Sequence, residues 1–206
     1  MYRHFFKRLF DIILSLIGLP FFLILLLIIA PIIYFTDNGN IFYVAKRLGK
    51  NGKVFNMYKF RSMRMNAPDI RNEDGSTFNS DFDPRLTKIG KFLRKTSIDE
   101  IPQIINVLLG SMSFIGPRPD LESQIIYYDM EKETKFKVKP GITGYAQVNG
   151  RNDISWNEKN ELDRYYEKKM NLYLDMKIFF MTIIKVLKRD GVNKNAKWFK
   201  DSNWQL

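Results

Sequence analysis

The chain has 206 residues, 45% of them hydrophobic, which is enough to bury one core and too few for a second full domain. Lysine and arginine number 33 against 22 acids, a net charge of +11 that points to an acidic partner. With no cysteine and a single histidine, His4, the sequence excludes disulfide scaffolds, Cys-containing zinc sites, iron-sulfur clusters and thiol nucleophiles, and it leaves a Ser-His-Asp triad only the extreme N-terminus. Its chemistry must run on carboxylates, hydroxyls, cations or a bound metal.

The first element is apolar. Residues 12–35, IILSLIGLPFFLILLLIIAPIIYF, are 24 positions without a charge, long enough to cross a bilayer core of roughly 30 Å as a helix. The run exceeds the apolar region of a signal peptide, no small-x-small cleavage site follows it, and it is too long for a core helix in a domain of this size. Residues 1–60 carry eight cations against Asp11 and Asp37, so +6 of the total +11 flanks this segment. A spanning helix concentrates its cations on one side, whereas Arg3, Lys7 and Arg8 precede this one and Lys46, Arg47, Lys50 and Lys53 follow it. Gly18 and Pro20 lie inside the run, where proline removes a backbone hydrogen bond and bends a helix. Together these favour a broken, re-entrant helix that enters and leaves by the cytoplasmic face, although the length also suffices to span.

Beyond Phe35 the composition becomes that of a cytosolic domain. The runs IFYVAKR and KVFNMYKFRSM, separated by Asn51-Gly52, predict a β-hairpin. Residues 66–84 are polar and rich in turn formers and read as a surface loop. Helical patterns follow at about 85–95, 98–110, 120–136, 155–168 and 172–189. The last has a wide apolar face with lysines at 177, 185 and 188, suiting either a core helix or an amphipathic one at the headgroup level. Trp198, Phe199 and Trp204 beside Lys197 and Lys200 suit a membrane interface. The expected fold is α+β and mostly helical. A re-entrant membrane helix-break-helix (1–36) joins a small catalytic domain (37–193) with a short hairpin and amphipathic interfacial helices, and an aromatic and basic tail (194–206) follows.

Three Gly/Pro-rich segments, around residues 116–119, 139–144 and 149–152, combine special backbone with a cation, a mixture that can present N–H groups and a guanidinium to an anion. Taken singly, each reads better as an ordinary loop, and none matches a P-loop or Rossmann phosphate pattern. Ser97-Ile98-Asp99-Glu100 and Ser155-Trp156-Asn157-Glu158 both fit a capping box that opens a helix. Adjacent Asp99 and Glu100 would point about 100° apart on a helix, which would let one act as nucleophile or metal ligand while the other caps or assists.

Lys7-Arg8-x-x-Asp11 with its apolar hairpin, Tyr58-Lys59-Phe60-Arg61-Ser62-Met63, Ser97-Ile98-Asp99-Glu100-Ile101-Pro102-Gln103, the stretch Asn106 to Pro119, and Lys139-Pro140-Gly141-Ile142-Thr143-Gly144 through Arg151 occur in this order. As a set they resemble the small monotopic phosphoglycosyl transferases of the bacterial sugar transferase family, over about residues 1–193. The resemblance implies transfer of phospho-sugar from a UDP-sugar to a polyprenyl (undecaprenyl) phosphate, with release of UMP, at the cytoplasmic face of the bacterial inner membrane. Asp99 would then be the nucleophile and the ligand of Mg²⁺, and Glu100 its partner, assisting proton transfer from the acceptor. Arg94, Arg118 and Arg151 would contact the phosphates or uridine, with Lys59 as a weaker candidate. Membrane lipid, other glycan-pathway enzymes and self-association are the further partners implied. The sequence departs from the family in lacking a Ser-Pro pair in mid-helix, with Pro20 a turn earlier and Pro31 two turns later. Two rivals compete: a noncatalytic membrane scaffold, and a membrane-anchored nucleic-acid binder. Against the second, residues 61–206 hold only +5 and show no nucleic-acid motif.

Overall fold

The computed structural model describes residues 1–70, 78, 80, 83–129, 133–150 and 154–188. It is mostly helical. A short π-helical turn, Tyr2–Phe6, leads into α1 (Lys7–Asp37), and β1 (Phe42–Leu48) and β2 (Val54–Phe60) form an antiparallel hairpin. Then come α2 (Lys88–Thr96), α3 (Gln103–Leu109), β3 (Ser113–Ile115), β4 (Gly141–Thr143), α4 (Tyr145–Asn149), α5 (Trp156–Lys169) and α6 (Leu172–Lys188). Residues 194–206, expected as an interfacial tail, and most of the loop at 66–84 lie outside the described residues.

The break expected in α1 does not interrupt it. All 31 residues are helical, with Pro20 and Pro31 inside. Each proline forfeits one backbone hydrogen bond, and the bonds on either side keep the element intact. The helix is long and apolar enough to cross a membrane by length and composition. Its buried positions, Lys7, Asp11, Ser15, Phe22, Ile29 and Ile33, recur at intervals of four and seven and form one stripe. Phe22, Ile29 and Ile33 join Phe60, Leu93 and Ile104 in one core, while Phe21, Leu27, Ile28 and Phe35 face outward. Such a continuous exposed apolar surface fits lipid rather than water, and it associates the chain with a membrane.

Both ends of α1 are tied to the rest of the fold. At the start, Lys7 Nζ pairs with the buried Asp175 of α6 at 2.6 Å, and Asp11 Oδ1 accepts from Ser113 Oγ at 2.9 Å and from the Phe114 N–H at 3.0 Å. At the end, the two oxygens of Asp37 each accept a guanidinium N–H of buried Arg61 at 2.6 Å.

The hairpin turns where the sequence predicts, with Asn51 and Gly52 both left-handed (φ 58° and 69°), the conformation that asparagine and glycine tolerate best. Two expectations need correction. No α-helix spans 120–136: the described residues form short 3-10 turns at Glu122–Tyr127 and Lys135–Lys137. There Lys135, 2% exposed at its side chain, donates to Asp120, Tyr128 and Asn160, a tertiary network that overrides local helix preference. The Gly/Pro segments at 116–119 and 139–144, read as loops able to present N–H groups, are bonded to each other where the parallel strands β3 and β4 pair. The Gly116 N–H donates to Thr143 O and the Gly141 N–H to Pro117 O, both at 2.9 Å, so these amides are not available to an anion. Glycine is needed because a Cβ on Gly116 would lie 2.4 Å from Lys139 O, and one on Gly144 would lie 2.0 Å from Gly116 O. Helix α6 takes the core role of the two expected. Leu174 and Ile178 fill a core with Ile115, Val148 and Tyr166, whereas Phe180, Ile184 and Leu187 on later turns are exposed.

Candidate active site

Asp99 and Glu100 sit on a single 3-10 turn, Ile98–Glu100, between α2 and α3. The capping box expected at Ser97 does not form. Ser97 is already the C-cap of α2, left-handed at φ 58°, with its N–H on the carbonyls of Leu93 and Arg94, and its side chain caps nothing. An N-cap residue needs extended backbone, so a residue that closes one helix in this way cannot cap the next. The box does form at Ser155 and Glu158, where Ser155 Oγ accepts from the Glu158 N–H and the Ser155 N–H donates to Glu158 Oε2 at 2.7 Å.

Released from capping, Glu100 turns to two cations. Its Oε1 accepts from Lys59 Nζ at 2.7 Å and from Arg118 Nη2 at 3.4 Å. Burial works against its charge, but Lys59 and Arg118 hold the carboxyl down at about 2. Asp99 is in the opposite condition. It is 7% exposed, and among the described residues it accepts no hydrogen bond and forms no ion pair. Burial pushes it up to about 6, with Lys59, Arg94 and Arg118 opposing and the Glu100 charge reinforcing the rise. One turn therefore carries a firmly ionised, occupied carboxylate beside a buried one with open oxygens.

Three elements converge here. Lys59 comes from β2. Arg94, in the last turn of α2, donates its Nε to Ser62 Oγ at 2.9 Å, and its burial lowers its pKa, with the charges of Asp99 and Asp83 opposing. Arg118 follows β3 and keeps 59% of its side chain exposed. Arg151 lies outside the described residues. Asn106, which sequence reasoning missed as a site residue, sets the spacing: 1% exposed, its Oδ1 accepts from the Tyr58 N–H at 2.9 Å and its Nδ2 donates to Asn56 O at 2.7 Å. It fastens α3 to β2 and so holds Lys59 against Glu100. Its one signal in the sequence is a polar residue inside the run IINVLL. Lys59, Glu100 and Arg118 line an open cleft together with Arg47, Gln103 and Gly141.

The site thus places an open carboxylate among cations, on a domain fastened to an exposed apolar helix. The model of the bacterial sugar transferase family matches residues 2–189. The chain belongs to that family, and it is a phosphoglycosyl transferase of the polyprenyl-phosphate type. A sugar transferase of Bacillus subtilis, EpsL, named as uncharacterized, is 40% identical over 188 residues, which is 91% of this chain and 90% of the relative. The undecaprenyl-phosphate galactose phosphotransferase of Salmonella typhimurium is 38% identical over 204 residues, 91% of this chain. The UDP-glucose:undecaprenyl-phosphate glucose-1-phosphate transferase of Klebsiella pneumoniae is 41% identical over 199 residues, 93% of this chain. The chain spans 41% of the length of each of the latter two.

Proposed function

We propose that the chain transfers a sugar 1-phosphate from a UDP-sugar to polyprenyl phosphate through a covalent intermediate on Asp99. The observation that carries this reading is the contrast within one turn: Glu100 occupied by Lys59 and Arg118, and Asp99 buried and unpaired among the described residues. A carboxylate free of hydrogen bonds keeps its lone pairs for attack. In the first step an Asp99 oxygen bonds to the phosphorus that carries the sugar, the bond from that phosphorus to the bridging oxygen breaks, and UMP leaves with the electron pair. In the second, an oxygen of polyprenyl phosphate attacks the same phosphorus and the Asp99 oxygen departs, which gives polyprenyl diphosphate sugar and restores the carboxylate.

The cations supply the electrostatics. Lys59 and Arg118, oriented by Glu100, face the charge that grows on the diphosphate, and Arg94 supports Asp99 from the side of α2. Glu100, held ionised, is a weak base in this arrangement. Taking a proton from the acceptor requires its ion pairs to open first. The open carboxylate of Asp99 suits Mg²⁺, which is commonly held by one or two carboxylates with phosphate oxygens and water, although no group of three or more His, Cys, Asp or Glu converges among the described residues. Asp99 would hold it, and the ion would lessen repulsion between carboxylate and diphosphate.

The attachment of both ends of α1, and of Phe22, Ile29 and Ile33 between them, to one polar domain supports a placement in which this uninterrupted helix keeps both ends at the cytoplasmic face of the inner membrane. A helix of 31 residues, about 46 Å at 1.5 Å per residue, would separate its ends by a whole bilayer if it spanned. Purified protein in nanodiscs with Mg²⁺, undecaprenyl phosphate and a panel of UDP-sugars tests the activity. UMP release with at least one donor is expected, and no release with any donor would overturn the reading.

A further inference from the structure

Gln103 opens α3, one turn beyond Glu100. It is 3% exposed, and the little surface that it keeps lies on the cleft lined also by Lys59, Glu100 and Arg118. Its carboxamide makes no hydrogen bond with any described residue, although it is not among the polar atoms sealed off from the surface. Asn106, on the same helix, spends its amide on the backbone of β2 and on Ser111 Oγ. A desolvated amide without partners destabilises the fold, and the polar end of Gln103 has only the cleft in which to find one.

The chemistry of the amide narrows what that partner is. Lys59 and Arg118 suit the diphosphate, whereas a neutral carboxamide, both donor and acceptor, suits a neutral hydroxyl or acylamino group. Gln103 lies beside the turn where the reacting phosphorus must meet Asp99, and the group joined to that phosphorus through one oxygen is the sugar. We propose that Gln103 reads the donor sugar, hydrogen-bonding a substituent of its ring and setting which sugar is accepted. This rests on the UDP-sugar reading above.

The test compares UDP-glucose, UDP-galactose and their 2-acetamido counterparts with wild-type protein and with Gln103→Met, which fills the same space without the amide. For the preferred donor, kcat/KM should fall about 10-fold, as expected for one lost hydrogen bond, mostly through KM. The preference between epimers should move toward unity, while inhibition by UMP, which has no sugar, stays unchanged. A preference within about twofold of wild type, or UMP inhibition weakened by the same factor as kcat/KM, would overturn the inference. Should the Met variant not fold, Gln103→Asn, which withdraws the amide by one methylene, must shift the preference in the same way, and an unchanged preference overturns the inference equally. Wild-type protein inactive with every donor refutes the transferase reading itself, whereas active wild type with unaltered preference in the variants refutes only the role of Gln103.

Discussion

Replacing Asp99 by Asn should abolish turnover and at the same time stabilise the protein. The carboxyl is buried without a hydrogen bond or ion pair among the described residues, and burial pushes it from 3.8 up to about 6. At about 1.36 kcal/mol per tenfold change in proton affinity, holding it ionised costs the folded state about 2–3 kcal/mol at neutral pH. Asparagine removes the charge and keeps the shape, so the melting temperature should rise by about 5–10 °C for a chain of this length. The sign depends on pH. The folded state binds the Asp99 proton more tightly than the unfolded state does, so the wild type is unpenalised near pH 4 and loses stability as the pH rises through about 6. Intrinsic-fluorescence melts in nanodiscs with EDTA, from pH 4 to 7.5, should show the two proteins converging at the acid end and diverging toward neutrality. A variant that melts below wild type at pH 7, or a gap that does not change with pH, would refute the reasoning.

Glu100→Gln frees Lys59 and Arg118 from the anion that orients them, and UMP release should fall about 100-fold; undiminished release would show that the two ion pairs do not organise the site. Lys7→Met leaves Asp175 buried with hydroxyl partners but no cation, and thermal or denaturant unfolding should register a loss of about 3 kcal/mol. Because the chain has no native cysteine, a Cys at residue 2 and another at residue 50 can be labelled without background. Both should react from the cytoplasmic side of inverted vesicles, and labelling from opposite sides would refute the placement of both helix ends at one face.

What was legible in the sequence followed from local rules. The hairpin was written in Asn51-Gly52 between β-branched and aromatic runs, and α5 in its Ser155 capping box. The errors arise where tertiary structure outranks local pattern. Ser97 carries the same box motif as Ser155, but α2 ends on it and fixes its backbone. Residues 120–136 look helical, yet Lys135 draws Asp120, Tyr128 and Asn160 together. The glycines at 116, 141 and 144 suggested an anion cradle, and they exist because two backbones pass too close for a side chain. The resemblance picked out Asp99, Glu100, Lys59, Arg94 and Arg118, which the fold does bring to one region. Asn106 was not legible as a site residue, since its work is to pin one element to another across the fold.

Intact-mass spectrometry after exposure to the preferred UDP-sugar and Mg²⁺, with no acceptor present, tests the covalent step most directly. Wild-type protein should gain the mass of one sugar phosphate, mapped by peptide analysis to Asp99 and lost when undecaprenyl phosphate is added, and Asp99→Asn should gain nothing. UMP release in step with product formation but without any adduct, or an adduct that persists in Asp99→Asn, would contradict the account.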